Sequence, residues 1–195
     1  DYSIDFMSIA AHKFYGPKSI GALYVANGES INPLFIGGGQ EKGIRPGTEN
    51  IALIAGMCKA LNIAYNNMDK NIAQISMMEK LFLNEMDKLN INFKINGHPR
   101  LPGILNITFF DIDGQTLLMN LDMLGVAISY GSACASGSSK PSSALINIGI
   151  DEKIAKNSVR ISIGKFISKK DILNLVSHIN SSIPSKKLKE ENVRQ

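Results

Sequence analysis

A cysteine surrounded by small residues is the strongest chemical signal in the sequence. Cys134 lies in the segment Ser129–Lys140, in which Tyr130 is the only bulky side chain. Such a segment is typical of a solvent-reachable loop, where a thiol can act as a nucleophile. No Cys-x-x-Cys pair occurs, so we expect neither a thioredoxin-like redox centre nor a metal site at Cys134. Cys58, by contrast, has apolar neighbours at helical spacing, as a buried structural cysteine normally does.

A lysine next to a histidine is the second candidate for chemistry. Lys13 follows His12 at the end of an apolar segment, and the turn Gly16-Pro17-Lys18 comes directly after. A lysine that forms a Schiff base must lose its proton to attack an aldehyde, and desolvation or neighbouring cations favour that loss. Spacing alone favours the simpler interpretation of Lys13 as surface charge.

Two further segments contain groups that bind anions. The glycine-rich loop from Gly37 to Thr48 can present several backbone N–H groups to a phosphate, although it matches neither a Walker loop nor a dinucleotide fingerprint. Arg160 lies in the strand-like run Ser158–Gly164. A charged residue in such a strand usually lies on its solvated face, but if that face lines a pocket, its guanidinium suits bidentate binding of a carboxylate.

Hydrophobic periodicity predicts the elements that position these residues. A strand is expected over residues 20–25, and a helical pattern covers 49–89 as one helix or as two separated near Asn66-Asn67, with Thr48 as N-cap. Its methionines are interpreted as core residues. Beyond it, strands and helices alternate: strands at 92–95, 104–110, 126–129 and 159–163, and helices at 116–124, 142–148 and 169–182. Ser168 and Asp171 are spaced as a capping box for the last helix. The alternation predicts an α/β or α+β layer.

Composition excludes several classes of protein. With 195 residues, 44% hydrophobic and 19% charged, the chain is expected to be globular rather than disordered. Of the net charge of +4, half belongs to residues 185–195, so we expect a basic, disordered tail and no nucleic-acid-binding face. No membrane span or signal peptide is evident, and the two separate cysteines indicate a reducing, cytoplasmic setting. Because the chain opens at Asp1 without a methionine, we expect it to begin within a longer protein.

Several stretches, taken together and in order over residues 1 to about 180, resemble the NifS/IscS-type cysteine desulfurases. These are pyridoxal-5′-phosphate enzymes of the class V aminotransferase group. The matching stretches are Asp5 to Ser8, His12 to Lys18, Ile20 to Val25, Gly37 to Asn50, Arg100 to Asn106, Gly131 to Cys134, Pro141-Ser142, and Val159 to Gly164.

The resemblance implies a role for each candidate residue. Lys13 would form the Schiff base with the cofactor and move the substrate α-proton, and His12 would contact the cofactor phosphate. Thr48 would reach across a homodimer interface to the phosphate held by the partner subunit. Arg160 would bind the carboxylate of L-cysteine. The Cys134 thiolate would attack the substrate sulfur, leaving a persulfide on Cys134 and releasing L-alanine.

The resemblance also implies the architecture and the partners. The fold would be the α/β fold type I of pyridoxal-phosphate-dependent transferases. Residues 1–88 would end the large cofactor domain, 89–184 would form the small α/β domain with the cysteine loop, and 185–195 the tail. The expected partners are a second subunit and a sulfur acceptor, either an iron–sulfur scaffold or a tRNA-thiolation protein.

Two features depart from the family pattern. Ala10 stands where relatives often have a hydroxyl, which removes one potential hydrogen bond to the phosphate. The family's phosphate-binding turn, its ring-stacking histidine and its aspartate at the pyridine nitrogen all precede the lysine segment, so we expect an incomplete cofactor cradle in this chain. The alternatives are therefore a selenocysteine lyase or another class V enzyme, and a catalytically incomplete fragment that acts only in dimerisation or binding.

Overall fold

The computed structural model describes residues 3–27, 29–131 and 141–184. The chain divides into two compact units, with the boundary between Met68 and Asp69. This boundary lies within the long helical pattern, because the second long helix contributes buried apolar side chains to the core of the second unit.

The first unit contains a β-hairpin, a glycine-rich loop and a helix. Strand β1 (Phe6–Ala10) pairs antiparallel with β2 (Gly21–Val25), and Ala10 lies opposite Gly21. A 3-10 turn, Ala11–Phe14, follows β1, and a second one, Gln40–Gly43, lies in the glycine-rich loop. Helix α1 spans Ile51–Asn66. The prediction of two helices separated near Asn66-Asn67 is confirmed, since α2 begins at Met68.

Most apolar side chains of the first unit are exposed in this chain. Among its described residues, Ala11 is the one buried hydrophobic residue, and Ile36 is fully exposed. Helix α1 has no buried residue, so the expectation that Cys58 is a buried structural cysteine is wrong: its thiol is exposed. Strands β1 and β2 are largely apolar on both faces, a pattern typical of strands that are covered on both sides of a sheet.

The second unit is built on an antiparallel four-stranded sheet in the order β3-β4-β6-β5. The strands are β3 (Phe93–Asn96), β4 (Ile104–Phe109), β5 (Ser129–Tyr130) and β6 (Ser158–Ser162). The helices are α2 (Met68–Lys88), α3 (Gly114–Met123), α4 (Ser143–Asn147), α5 (Glu152–Lys156) and α6 (Lys169–Ser182). Each matches a segment that periodicity predicts, except α5, which was not predicted, and β5, which shares only Ser129 with the strand predicted at 126–129. No helix in the described ranges is long and apolar enough to cross a bilayer.

One face of this sheet carries the core. Alternate residues of β4 and β6 are buried on it, together with apolar residues of α2, α3 and α6. Its largest fully buried side chains include Phe82, Met86, Leu105, Ile107, Phe109 and Ile179. The prediction that the methionines of the long helical pattern are core residues is confirmed for Met78 and Met86, which are buried, and is wrong for Met68 and Met77, which are exposed.

The predicted capping box of α6 is present. The Asp171 backbone N–H donates to the Ser168 hydroxyl at 3.3 Å, and the Ser168 backbone N–H donates to the Asp171 carboxylate at 2.8 Å. The Ser168 hydroxyl also donates to that carboxylate, and these hydrogen bonds lower the pKa of Asp171. The cap fixes where α6 begins, and α6 covers the core face of the sheet.

Candidate functional site

A tight turn at the end of β1 positions Lys13 and His12. Ala11, buried at the start of the turn, accepts a hydrogen bond from the Gly16 N–H at 2.8 Å and donates one to the Ile20 carbonyl at 3.2 Å. A Cβ at Gly16 would lie 2.9 Å from the Ala11 Cβ, so the closure requires glycine. Both Lys13 and His12 are exposed. The turn therefore presents an amine and an imidazole side by side from a fixed backbone.

Helix α1 packs directly against this turn. A Cβ placed on Gly56, in the middle of α1, would lie 2.7 Å from the Pro17 Cγ. The missing side chain thus allows the helix to approach the turn closely. An isolated glycine inside a helical pattern is a sequence signal for such an approach, and the sequence analysis did not use it.

The close approach of Gly56 to Pro17 can be tested by substitution. Alanine is a better helix former than glycine by about 1 kcal/mol, so Gly56→Ala would stabilise an unobstructed helix. Here the new methyl group meets a rigid proline ring, and we expect destabilisation by about 1–3 kcal/mol. Thermal unfolding of the intact protein measures it. Cys58→Ala, at an exposed position of the same helix, is the control and should change stability by less than about 0.5 kcal/mol. A higher melting temperature for Gly56→Ala would contradict the packing.

Thr48 lies at the edge of a cavity in the glycine-rich loop, but it does not cap α1. The cap is Asn50, whose side-chain oxygen accepts from the Leu53 N–H at 3.1 Å. The prediction of Thr48 as N-cap is therefore wrong, because the helix begins two residues later than expected. Within the loop, the Gln40 side-chain oxygen accepts from the Gly47 N–H at 3.2 Å. Because Asn50 caps α1, the exposed Thr48 hydroxyl is not used as a helix cap.

The cavity beside Thr48 has a mixed charge. Its volume is about 430 Å³. It is lined by Ser19, Ile20, Gly21, Glu41, Arg45, Pro46, Gly47, Thr48, Glu49, Asn50 and Ile54. The Arg45 guanidinium donates to the Pro46 carbonyl at 2.7 Å and lies 5.8 Å from the centroid of the Phe35 ring. The carboxylates of Glu41 and Glu49 repel an anion, and the Arg45 guanidinium already donates to a backbone carbonyl. The lining of this cavity is therefore not a strong anion site by itself.

Arg160 lies on β6, on the sheet face opposite the core. Its neighbours Val159 and Ile161 are buried, whereas Arg160 is exposed, as expected for a strand with one solvated face. Its Nη2 donates to the Ser129 Oγ at 3.1 Å. Ser129 and Arg160 are register partners in the β5–β6 pair. This hydrogen bond is not evident from the sequence, because it depends on which strands are neighbours.

Tyr130 anchors the end of β5. A Cβ at Gly114 would lie 2.9 Å from two carbons of the Tyr130 ring, so the start of α3 packs closely on the ring. Partial burial raises the pKa of Tyr130, and the Asp113 carboxylate raises it further while Lys156 opposes the rise. The phenol therefore stays protonated at neutral pH and adds no negative charge near Arg160.

The predicted site residues fall into three groups. His12, Lys13 and Thr48 belong to the first unit, and Arg160 belongs to the second. Cys134 lies outside the described residues, four positions after the end of β5. Within the first unit, α1 links the lysine turn to the loop that carries Thr48, because the helix follows the loop and contacts Pro17. No cluster of His, Cys, Asp or Glu able to hold a metal ion occurs in the described ranges.

Comparison with known families identifies the family of the chain. The family model described as aminotransferase class-V matches residues 1–175. The chain belongs to the class V aminotransferase family. Class V aminotransferases and cysteine desulfurases depend on pyridoxal 5′-phosphate.

Individual relatives of this class V chain are similar to it in sequence and in structure. It is 41% identical over 174 residues to the cysteine desulfurase IscS of Dictyoglomus turgidum and 43% identical over 176 residues to that of Clostridium botulinum. Each match covers 88% of this chain and 44% of the relative. Among solved structures, the NifS-like protein from Rickettsia africae is similar, with a TM-score of 0.80 and 31% identity over 92% of this chain and 47% of that one. The structural match confirms the predicted fold class, and the chain spans less than half the length of these relatives.

Proposed function

We propose that this chain forms part of a cysteine desulfurase, an enzyme that removes sulfur from L-cysteine and yields L-alanine and a protein persulfide. The observation that carries the proposal is 41–43% identity, over 88% of this chain, to relatives named cysteine desulfurase. The exposed Lys13–His12 pair on a closed turn supports it, because the reaction needs an amine held at a fixed place.

The residues of this chain fit pyridoxal 5′-phosphate. Lys13 would hold the cofactor through its primary amine, and His12, the adjacent residue on the same turn, would offer an imidazole to its phosphate. When bound, the cofactor supplies an electron sink that stabilises negative charge at the substrate α-carbon. Ala10, at the end of β1, offers no hydroxyl, so phosphate binding relies on the other groups.

Lys13 would also carry a proton in the reaction. Its amine would take the α-proton from the bound amino acid and return a proton later. The rigid turn, closed by the hydrogen bond from Gly16 to Ala11, keeps that amine in one place during both transfers.

Arg160 orients the substrate. Its guanidinium presents paired N–H donors that match the α-carboxylate of an amino acid. Its place on a strand within the sheet supports this role, since strands hold a functional group more precisely than loops do. Arg160 therefore sets which end of the amino acid points towards the thiol.

Cys134 takes the sulfur. Its thiolate attacks the substrate sulfur and the S–S bond of a persulfide forms. The Cβ–S bond breaks with its electron pair retained on the carbon fragment, which takes up protons and leaves as L-alanine. In the sequence, Cys134 follows β5, the strand that pairs with the strand of Arg160.

The remaining parts of the proposal concern assembly. The protein acts as a homodimer in which the Thr48 hydroxyl reaches the cofactor phosphate of the partner subunit, a role left open to it because Asn50 caps α1. The persulfide sulfur passes to an acceptor, an iron–sulfur scaffold or a tRNA-thiolation protein. The compartment is the cytoplasm, where free thiols such as that of Cys58 persist.

The test is production of L-alanine by the intact protein loaded with pyridoxal phosphate. We expect L-alanine and sulfide, in the presence of a reductant, in equal amounts from L-cysteine. Arg160→Ala should lower kcat/KM about ten- to hundred-fold, because hydrogen bonds to charged groups contribute roughly 1.5–3 kcal/mol. Turnover confined to L-selenocysteine would favour a selenocysteine lyase. No turnover of either amino acid would contradict the proposal.

A further inference from the structure

A row of polar residues crosses the second unit's sheet at one register position. Asn96 on β3 lies opposite Asn106 on β4, Asn106 lies opposite Arg160 on β6, and Arg160 lies opposite Ser129 on β5. All four lie on the face that does not carry the core, because their neighbours Ile107, Leu105, Val159 and Ile161 are buried in it. Arg160 therefore belongs to a polar strip that extends over every strand.

Hydrogen bonds fix the β3 and β4 side of this strip. The Asn96 amide donates to the Asn106 side-chain oxygen at 2.8 Å and to the Thr108 hydroxyl at 2.9 Å. The Thr108 and Ser158 hydroxyls, both buried, lie 2.8 Å apart, and the Ser158 hydroxyl donates to the Ile154 carbonyl at 2.7 Å. No buried side-chain polar atom in the described ranges lacks a hydrogen-bond partner, so the polar groups buried beside this strip are all paired.

Ser129 is the group that contacts the guanidinium of Arg160. The Ser129 Oγ accepts from Nη2 at 3.1 Å, and Ser129 is half-buried while Arg160 is exposed. Arginine has several rotatable bonds and loses much rotamer entropy when it is held in one pose. A hydroxyl fixed on the neighbouring strand reduces the number of poses before the substrate arrives, and it leaves the other N–H donors of the guanidinium available.

We propose that Ser129 is a positioning residue that holds the Arg160 guanidinium in the pose that binds the substrate carboxylate. The inference rests on the proposed function, in which Arg160 binds that carboxylate. Each of the two residues of β5 then has a role beyond sheet pairing. Ser129 orders the arginine, and Tyr130 packs on α3.

The experiment measures KM and kcat for L-cysteine with the intact, cofactor-loaded protein. Because a hydrogen bond to a charged group orders the free arginine, we expect Ser129→Ala to raise KM about ten-fold and to change kcat less than about two-fold. Ser129→Thr keeps the hydroxyl and should restore KM. Ser162→Ala is the matched control, since Ser162 is an exposed serine two positions from Arg160 on the same face of β6. It should leave both constants unchanged.

A double-mutant cycle separates positioning of Arg160 by Ser129 from a general effect on folding. If Ser129 acts through Arg160, Ser129→Ala should add nothing to the loss caused by Arg160→Ala. An unchanged KM in Ser129→Ala, with a raised KM in Arg160→Ala, would overturn the positioning role and leave the proposed function intact. If KM and kcat are unchanged in both Ser129→Ala and Arg160→Ala, the role of Arg160 is overturned, and the role of Ser129 is overturned with it. Additive losses in the double variant would also contradict positioning.

Discussion

Lys13→Ala should abolish both the visible absorbance of the bound cofactor and the desulfurase activity. The absorbance arises when the lysine amine bonds to the cofactor aldehyde, and alanine offers no amine. The same amine would move the α-proton, and general acid–base catalysis contributes typically about 10²–10⁴-fold, so turnover should fall by at least that factor. Absorbance spectra and L-alanine assays of the purified intact protein measure the two effects.

Lys13→Arg separates the amine from its charge. Arginine keeps a positive charge on the turn but cannot bond to the aldehyde, so we expect the same loss as with alanine. Lys59→Ala, at an exposed position of α1 in the same unit, is the control and should keep both absorbance and activity. A Lys13→Arg protein that retains the absorbance would show that another amine bonds to the cofactor.

Cys134→Ser should stop sulfur transfer and leave cofactor binding unchanged. Serine keeps the size of the side chain but provides no thiolate, so the substrate sulfur has no nucleophile to attack it. We expect L-alanine formation from L-cysteine to fall at least about 10³-fold, more than for loss of one hydrogen bond, because a bond-forming group is removed. The visible absorbance should match that of the unchanged protein.

Cys58→Ser is the matched control for this experiment. The Cys58 thiol is exposed, so a nonspecific role of an accessible thiol would lower the activity of this variant as well. We expect full activity from Cys58→Ser. Release of L-alanine at the normal rate from Cys134→Ser would contradict the mechanism and favour an enzyme of the same family in which the thiol is dispensable.

Local patterns were sufficient to predict most elements of the second unit. Strand β4 and helix α6 follow from their apolar spacing, and the Ser168–Asp171 capping box follows from two residue types three positions apart. These features depend on neighbours in the sequence. The five-residue α5 contains only two apolar residues, Ile154 and Ala155, too few to show a helical period.

The first unit shows where local patterns fail. The apolar spacing on α1 predicts burial of Cys58, but periodicity identifies only the face that a helix can bury and not what covers it in this chain. Thr48 and Asn50 are both good N-cap residues, and the choice between them depends on how the preceding loop approaches the helix.

The candidate site was predictable as a set of residues but not as an arrangement. Lys13, Arg160 and Thr48 can be selected from residue type and context, and the family resemblance suggests a role for each. The contact between Ser129 and Arg160 depends on the pairing of β5 with β6, which joins residues far apart in the sequence. Such non-local pairing has no local signature, so only the structure identifies Ser129.

Acceptance of the substrate sulfur by Cys134 can be detected by mass. The peptide that contains Cys134 is weighed after brief incubation of the intact, cofactor-loaded protein with L-cysteine and trapping of thiols. We expect this peptide to gain the mass of one sulfur atom, the Cys58 peptide to gain none, and the gain to disappear in Lys13→Ala. L-alanine release without added sulfur on the Cys134 peptide, or equal sulfur on both cysteines, would contradict sulfur acceptance by Cys134.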